Sequence, residues 1–282
     1  MRGLLVAAIL LLTACSRPPM HLWDTFPDPA PMPALTTQGH VEREGARIWY
    51  GVAGRGPPVV MLHGGLGASD HWGAEARALI DDHHQVILID SRGHGRSTRD
   101  PHPLTYVKMA ADVLAVMDAV GVKRADIVGW SDGAIIGLVL AMQHPERLDA
   151  VYAFGANMDL KGFNPAAALS PALPQADKAL RKLYARTSPT PGEYDNFFRW
   201  VLTMQATQPT YSAADLAAIH GQRIAIADAE HEEFILRAHT DYLARTIPGA
   251  KLVILPGVSH FAALQAPEVF SRSVIGFLDA KP

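Results

Sequence analysis

The chain is almost free of cysteine. Cys15 is the only one in 282 residues, which excludes a disulfide framework and a thiolate metal site. Neither sign of charge is in excess: 25 Lys and Arg stand against 28 Asp and Glu, a net charge of −3. Neither a nucleic-acid partner nor an anionic surface is implied by that balance. The apolar run from Leu4 to Leu12 is far short of the ~20 residues that cross a bilayer. No internal repeat is visible. The 13 histidines are scattered without zinc-ligand spacing backed by other ligands, so no metal site is expected. What the chain does have is a hydrophobic fraction of 49%, ample for a large core. Its length suits one α/β domain with an insertion, or two small domains.

The amino end reads as a targeting segment. Arg2 precedes the apolar run, whose length is that of a signal-peptide hydrophobic region. Leu12-Thr13-Ala14-Cys15 resembles a bacterial lipobox. The resemblance implies a signal peptide over residues 1–14 and a diacylglycerol on Cys15. With N-acylation, that is enough for stable anchoring in the bacterial cell envelope. Arg17 without a neighbouring Asp resembles outer-membrane sorting. Residues 15–37 form a linker carrying Pro18, Pro19, Pro27, Pro29, Pro31 and Pro33. Such a chain is expected to be semi-extended, to reach ~60 Å, and to carry no catalytic residue.

The most informative stretch is Gly129-Trp130-Ser131-Asp132-Gly133. A short, β-branched apolar run precedes it and a long apolar run without proline follows. The pattern predicts a buried strand, a sharp turn and a buried helix. Bulk at either glycine would block so tight a turn, and the geometry pushes the Ser131 hydroxyl outward. The following helix brings free amides and its positive end beneath the site. This resembles the nucleophile elbow of the α/β-hydrolase fold.

Other loops extend the resemblance from Gly39 to the carboxyl end. Val41–Ala53 reads as an edge hairpin, and Pro58–Leu62 as a covered strand ending in His63-Gly64-Gly65-Leu66-Gly67. In the family this loop gives one oxyanion-hole amide, which falls on Gly65, with Leu66 as the alternative. The Asp132 amide supplies the other. His63 is read as pinning the loop, not as a base. Asp90-Ser91-Arg92-Gly93-His94-Gly95-Arg96-Ser97 resembles a structural turn of the family; no phosphate-loop signature follows it. Residues 158–220 lack a strand and carry helix-like stretches near Gln175–Arg186, Gly192–Ala206 and Ala213–Ile219. They are expected to form a helical cap after the sixth strand, with one or two of Phe197, Phe198, Trp200 and Met204 lining a pocket. Residues 38–157 and 221–282 then make the core.

The family's acid position falls on Glu232, where Asp is usual. Asp159 is the alternative acid, with Glu230 and Asp228 behind it. His260 occupies the family's histidine loop, and Ser131…Glu232…His260 keeps the Ser–acid–His order. The fold expected is α/β, a mostly parallel eight-stranded sheet with helices on both faces. The resemblance is to the branch with enol-lactonases, carboxylesterases and valacyclovir-hydrolase-like proteins. It implies a serine hydrolase of a small ester or lactone, working without cofactor or metal. Thioester or C–C bond hydrolysis stays open on the same residues, as does a binding scaffold without strong catalysis.

Overall fold

A computed structural model describes residues 20–220 and 223–280. The signal segment 1–14 and Cys15 lie outside the described residues. Among the described residues, no helix is long and apolar enough to cross a membrane.

An edge hairpin, β1 (Thr37–Arg43) and β2 (Ala46–Gly54), opens the domain. It is followed by β3 (Pro58–Leu62), α1 (Gly73–Asp81), β4 (Gln85–Ile89), α2 (Tyr106–Ala119) and β5 (Ala125–Trp130). Then come α3 (Asp132–Gln143) and β6 (Leu148–Phe154). Helices α4 (Leu173–Thr187), α5 (Tyr194–Gln205) and α6 (Ala213–Ala217) form the insertion. The sheet resumes with β7 (Arg223–Ala229), α7 (Arg237–Thr246) and β8 (Lys251–Leu255), and the chain closes with α8 (Ala262–Gln265) and α9 (Pro267–Leu278).

The eight strands pair in the order β1-β2-β4-β3-β5-β6-β7-β8. Only the β1–β2 and β2–β4 pairs are antiparallel. This is the expected architecture. Continuous apolar runs form its centre because helices cover both faces: β5 is buried at every position. Helix α3 is apolar almost all round and nearly all buried, as a helix inside a core should be.

The topology decides where a site can form. From β3 the chain steps to β4 on one side, then returns to β5 on the other. Such a switch leaves a crevice beyond the carboxyl ends of the two strands. The register pairs Leu62 with Gly129, so the glycine loop after β3 and the serine turn after β5 emerge side by side.

One expectation differs. From residue 21 to 36 the proline-rich segment is no free spacer. Phe26 is buried, Gln265 Nε2 donates to the Thr25 carbonyl at 2.8 Å, and Arg77 donates to the Pro31 carbonyl. Thr36 pairs with Val52 at the hairpin. Proline removes donors and fixes φ but does not prevent docking where carbonyls and aromatic rings find partners. A ~60 Å reach built on twenty free residues does not hold.

Candidate active site

Ser131 sits at the turn between β5 and α3 with φ 55° and ψ −119°. A non-glycine residue with positive φ is held there only by its surroundings. Ser131 N–H donates to the Phe154 carbonyl at 2.8 Å, and the Ser131 carbonyl accepts from Ala134 N–H at 2.8 Å. A side chain at Gly129 would run into the Gly133 backbone, and one at Gly133 into the Leu62 backbone. Both glycines are therefore fixed by close approach. Asp132 is the first residue of α3, so its amide has no partner within the helix.

His260 Nδ1 lies 2.8 Å from Glu232 Oε1 and 2.9 Å from Oε2. Glu232 Oε1 also accepts from the amides of Phe234 at 2.7 Å and Ile235 at 3.1 Å. These bonds fix the carboxylate and make Nδ1 the protonated ring nitrogen, leaving Nε2 as acceptor. Ser131 and His260 line the same cavity. Among the described residues neither Ser131 Oγ nor His260 Nε2 has a hydrogen-bond partner. The histidine and acid are thus brought into contact, and the serine faces their cavity without bonding the imidazole. Burial lowers the His260 pKa below its ordinary 6.5, against the opposing charges of Glu233, Asp228 and Asp132. In its neutral form the imidazole, with Nε2 unbonded, can accept a proton.

The other acids lie elsewhere. Asp159 caps a short 3-10 turn through Lys161 N–H at 2.6 Å and does not reach His260. Glu230 accepts from Gly257 N–H at 2.8 Å. Asp228 is buried, accepts from Ala229 N–H and Thr240 Oγ1, and hydrogen-bonds Glu232. Burial first, then the neighbouring Glu232 charge, pushes Asp228 up to about 8. Burial and Glu233 push Glu232 up as well. Glu232 accepts three N–H bonds and Asp228 only one, so the proton shared by the two acids rests on Asp228 and the charge on Glu232.

The loop after β3 is held as expected. His63 Nδ1 donates to the Gly64 carbonyl at 2.8 Å, and Nε2 accepts from Ser91 N–H at 3.0 Å. With both nitrogens engaged and its pKa lowered by burial, His63 is a pin and not a base. Gly65 and Leu66 both line the cavity. A Cβ on Gly65 would come within 2.6 Å of both Asp132 Oδ2 and Gln205 Nε2. The Asp132 side chain accepts from Tyr106 Oη at 2.8 Å and from Gln205 Nε2 at 3.1 Å. It ties cap helix α5 to the core beside the serine. Arg92, fully buried, binds Asp112 and Asp100 and so braces the turn after β4.

The cavity has a volume of about 420 Å³, within the usual range for small-molecule sites. Its walls are mostly apolar, including Trp130, Leu180, Phe198 and Phe234. Of the four aromatic and methionine candidates on α5, Phe198 lines it; Phe197 packs against His94 and Tyr184, and Met204 is core. Three contributors escape sequence reasoning: Gln205, Phe26 and Asp228 as a partner of Glu232. A glutamine in a cap and a phenylalanine in a proline-rich run carry no local signal. Among the described residues, one set of acid and imidazole ligand atoms is close enough to share a cation: Asp82, His84 and Asp279. It lies near the amino end of β4, opposite the cavity.

A family model described as alpha/beta hydrolase fold matches residues 57–193. With the sheet order and the turn at Ser131, this decides the affiliation. The chain belongs to the α/β-hydrolase superfamily. It is a hydrolase of that fold. A protein of Azorhizobium caulinodans, provisionally named carbamate hydrolase RutD, is 28% identical over 253 residues, covering 82% of this chain and 95% of its own. The human serine hydrolase BPHL is 26% identical, covering 97% of each chain. A solved N-acyl homoserine lactone degrading enzyme superposes with a TM-score of 0.69 at 27% identity, over 84% of this chain and 99% of its own.

Proposed function

We propose that this hydrolase cleaves a small ester or lactone through an acyl-enzyme on Ser131. The observation that carries the reading is the 2.8 Å His260–Glu232 contact facing the strained Ser131 turn across one cavity. Glu232 holds the imidazole with Nδ1 protonated. His260 Nε2 takes the Ser131 proton as Oγ attacks the carbonyl, then gives it to the leaving group and later activates water. The amides of Asp132 and of Gly65, or Leu66, receive the oxyanion; one such donor is typically worth ~100–1000-fold in turnover. The relatives named as serine hydrolase, carbamate hydrolase and lactone-degrading enzyme support a carbonyl substrate with a heteroatom leaving group.

The test is fluorophosphonate labelling of the full chain beside turnover on an ester, lactone and carbamate panel. Labelling that disappears in Ser131→Ala together with turnover is expected. Undiminished labelling in that variant would end the serine reading.

We also propose that Cys15 is lipidated and holds the enzyme at the bacterial envelope. The motif Leu12-Thr13-Ala14-Cys15 supports this. Fractionation checks it: Cys15→Ser should move the protein from membranes to the soluble fraction, and an unchanged distribution would refute the anchor.

A further inference from the structure

The segment just ahead of the domain lies against three parts of the site at once. Trp23 stacks on His231, in the loop that carries Glu232, with ring centroids 3.8 Å apart. The Thr25 carbonyl accepts from Gln265 Nε2 at 2.8 Å. The same side chain, through Oε1, accepts from Ser259 N–H at 2.8 Å, next to His260. On the cap side, Gln175 of α4 donates to the Asp24 carbonyl at 3.1 Å and accepts from Phe26 N–H at 3.3 Å. Gln175 and Gln265 thus grip the strand of chain from opposite sides.

Phe26 is the side chain this grip delivers. It is only 7% exposed and lines the cavity with Ser131 and His260. Its ring meets Phe261 edge-on at 4.9 Å and His71 at 5.9 Å. Backbone bonds on both flanks and aromatic contacts on two faces hold the ring in place. Nothing in the fold requires a cavity wall to come from outside the sheet and its cap.

We propose that the strap of residues 22–26 is a specificity element of the enzyme, with Phe26 as the wall that limits how long an apolar substituent the cavity admits. The proposal rests on the reading of Ser131 as nucleophile for its catalytic consequence, but not for its binding consequence. The ring fills space beside His71 and Phe261 that a longer chain would otherwise enter. Each further buried methylene is worth about fourfold in affinity. A cavity extended by two methylenes therefore favours the longer substrate by roughly tenfold or more.

The experiment has a catalytic and a binding arm, both on the full chain. Esters graded separately in acyl and alkoxy length are compared for wild type, Phe26→Ala and Phe26→Leu. Phe26→Leu keeps an apolar anchor for the strap and guards against loss of folding. The long-to-short ratio of kcat/KM should rise roughly tenfold in one series for Phe26→Ala, and less for Phe26→Leu. In the Ser131→Ala background, binding of linear alkanoates and alkanols of graded length is then measured with and without the Phe26 changes. A shift to longer chains there supports the strap even if no ester is hydrolysed, which would refute only the nucleophile. An unchanged length preference in binding, or no binding of chains at any length, overturns the proposal.

Discussion

Glu232 stands where the family usually carries Asp, and its longer side chain is accommodated by what it touches. Two backbone amides and the imidazole take its hydrogen-bonding capacity, and Asp228 behind it carries the neutralising proton. With its longer side chain the carboxylate reaches the imidazole at 2.8 Å while holding both amides. Replacing it tests the assignment. In serine triads the amide analogue of the acid costs ~10,000-fold in turnover, because the imidazole is released into the wrong tautomer. Glu232→Gln should lose activity on that order, while Asp159→Asn stays near wild type, since Asp159 only caps a turn. Ester turnover with purified variants decides it, and the opposite pattern would transfer the role to Asp159. Gly65 shows the same dependence on neighbours. It is glycine because Asp132 and Gln205 already occupy the place of a side chain. Its position after an apolar strand was readable from sequence; the two crowding groups were not, as one lies in the cap 140 residues away.

At the scale of elements, the strands were legible wherever burial is complete. Pro58–Leu62 reads as a covered apolar run and forms β3 with those bounds. Helix α6 starts at Ser212 through a reciprocal bond with Asp215. Boundaries shifted where a turn competes with a helix. Helix α5 starts at Tyr194, not Gly192, because Pro191–Glu193 forms a 3-10 turn first. Strand β7 takes in Asp228, which finds partners inside and pairs with Ile254. A buried acid in a strand looks like a loop residue until its partners are known. The proline-rich segment departs from its expected extended form for the converse reason. Its backbone groups pair with distant glutamines, the Phe26 N–H with Gln175 and the Thr25 carbonyl with Gln265, and such pairings across 149 or 240 residues leave no trace in local pattern.

The whole molecule carries buried acids that its reaction does not use, and they should shape its stability. Glu75 lies in α1 where that helix packs on α9. It is 2% exposed, and neither carboxyl oxygen has a hydrogen-bond partner among the described residues. Desolvation raises its pKa from 4.5 to about 8. Asp126, raised to about 6 first by burial, shifts in the same direction. For an acid shifted upward, the native state keeps a proton that the unfolded chain releases. The native protein is therefore favoured fully below about pH 4.5, loses that advantage as pH rises from 4.5 to 8, and reaches a plateau above. One pKa unit corresponds to about 1.4 kcal/mol, so the cost of Glu75 at pH 8 is a few kcal/mol. Glu75→Gln keeps the shape and removes the titration. Urea unfolding of the full chain at pH 5 and pH 8 should show the variant gaining a few kcal/mol relative to wild type on going from pH 5 to pH 8. An equal difference at the two pH values would mean that Glu75 is charged in the native state, with a counter-charge or water relieving it. Because α1 follows the glycine loop after β3 and its capping Trp72, turnover measured on the same samples separates a loss of folding from a loss of site geometry. Glu75→Gln is expected to leave turnover at pH 7 unchanged while flattening the pH dependence of stability.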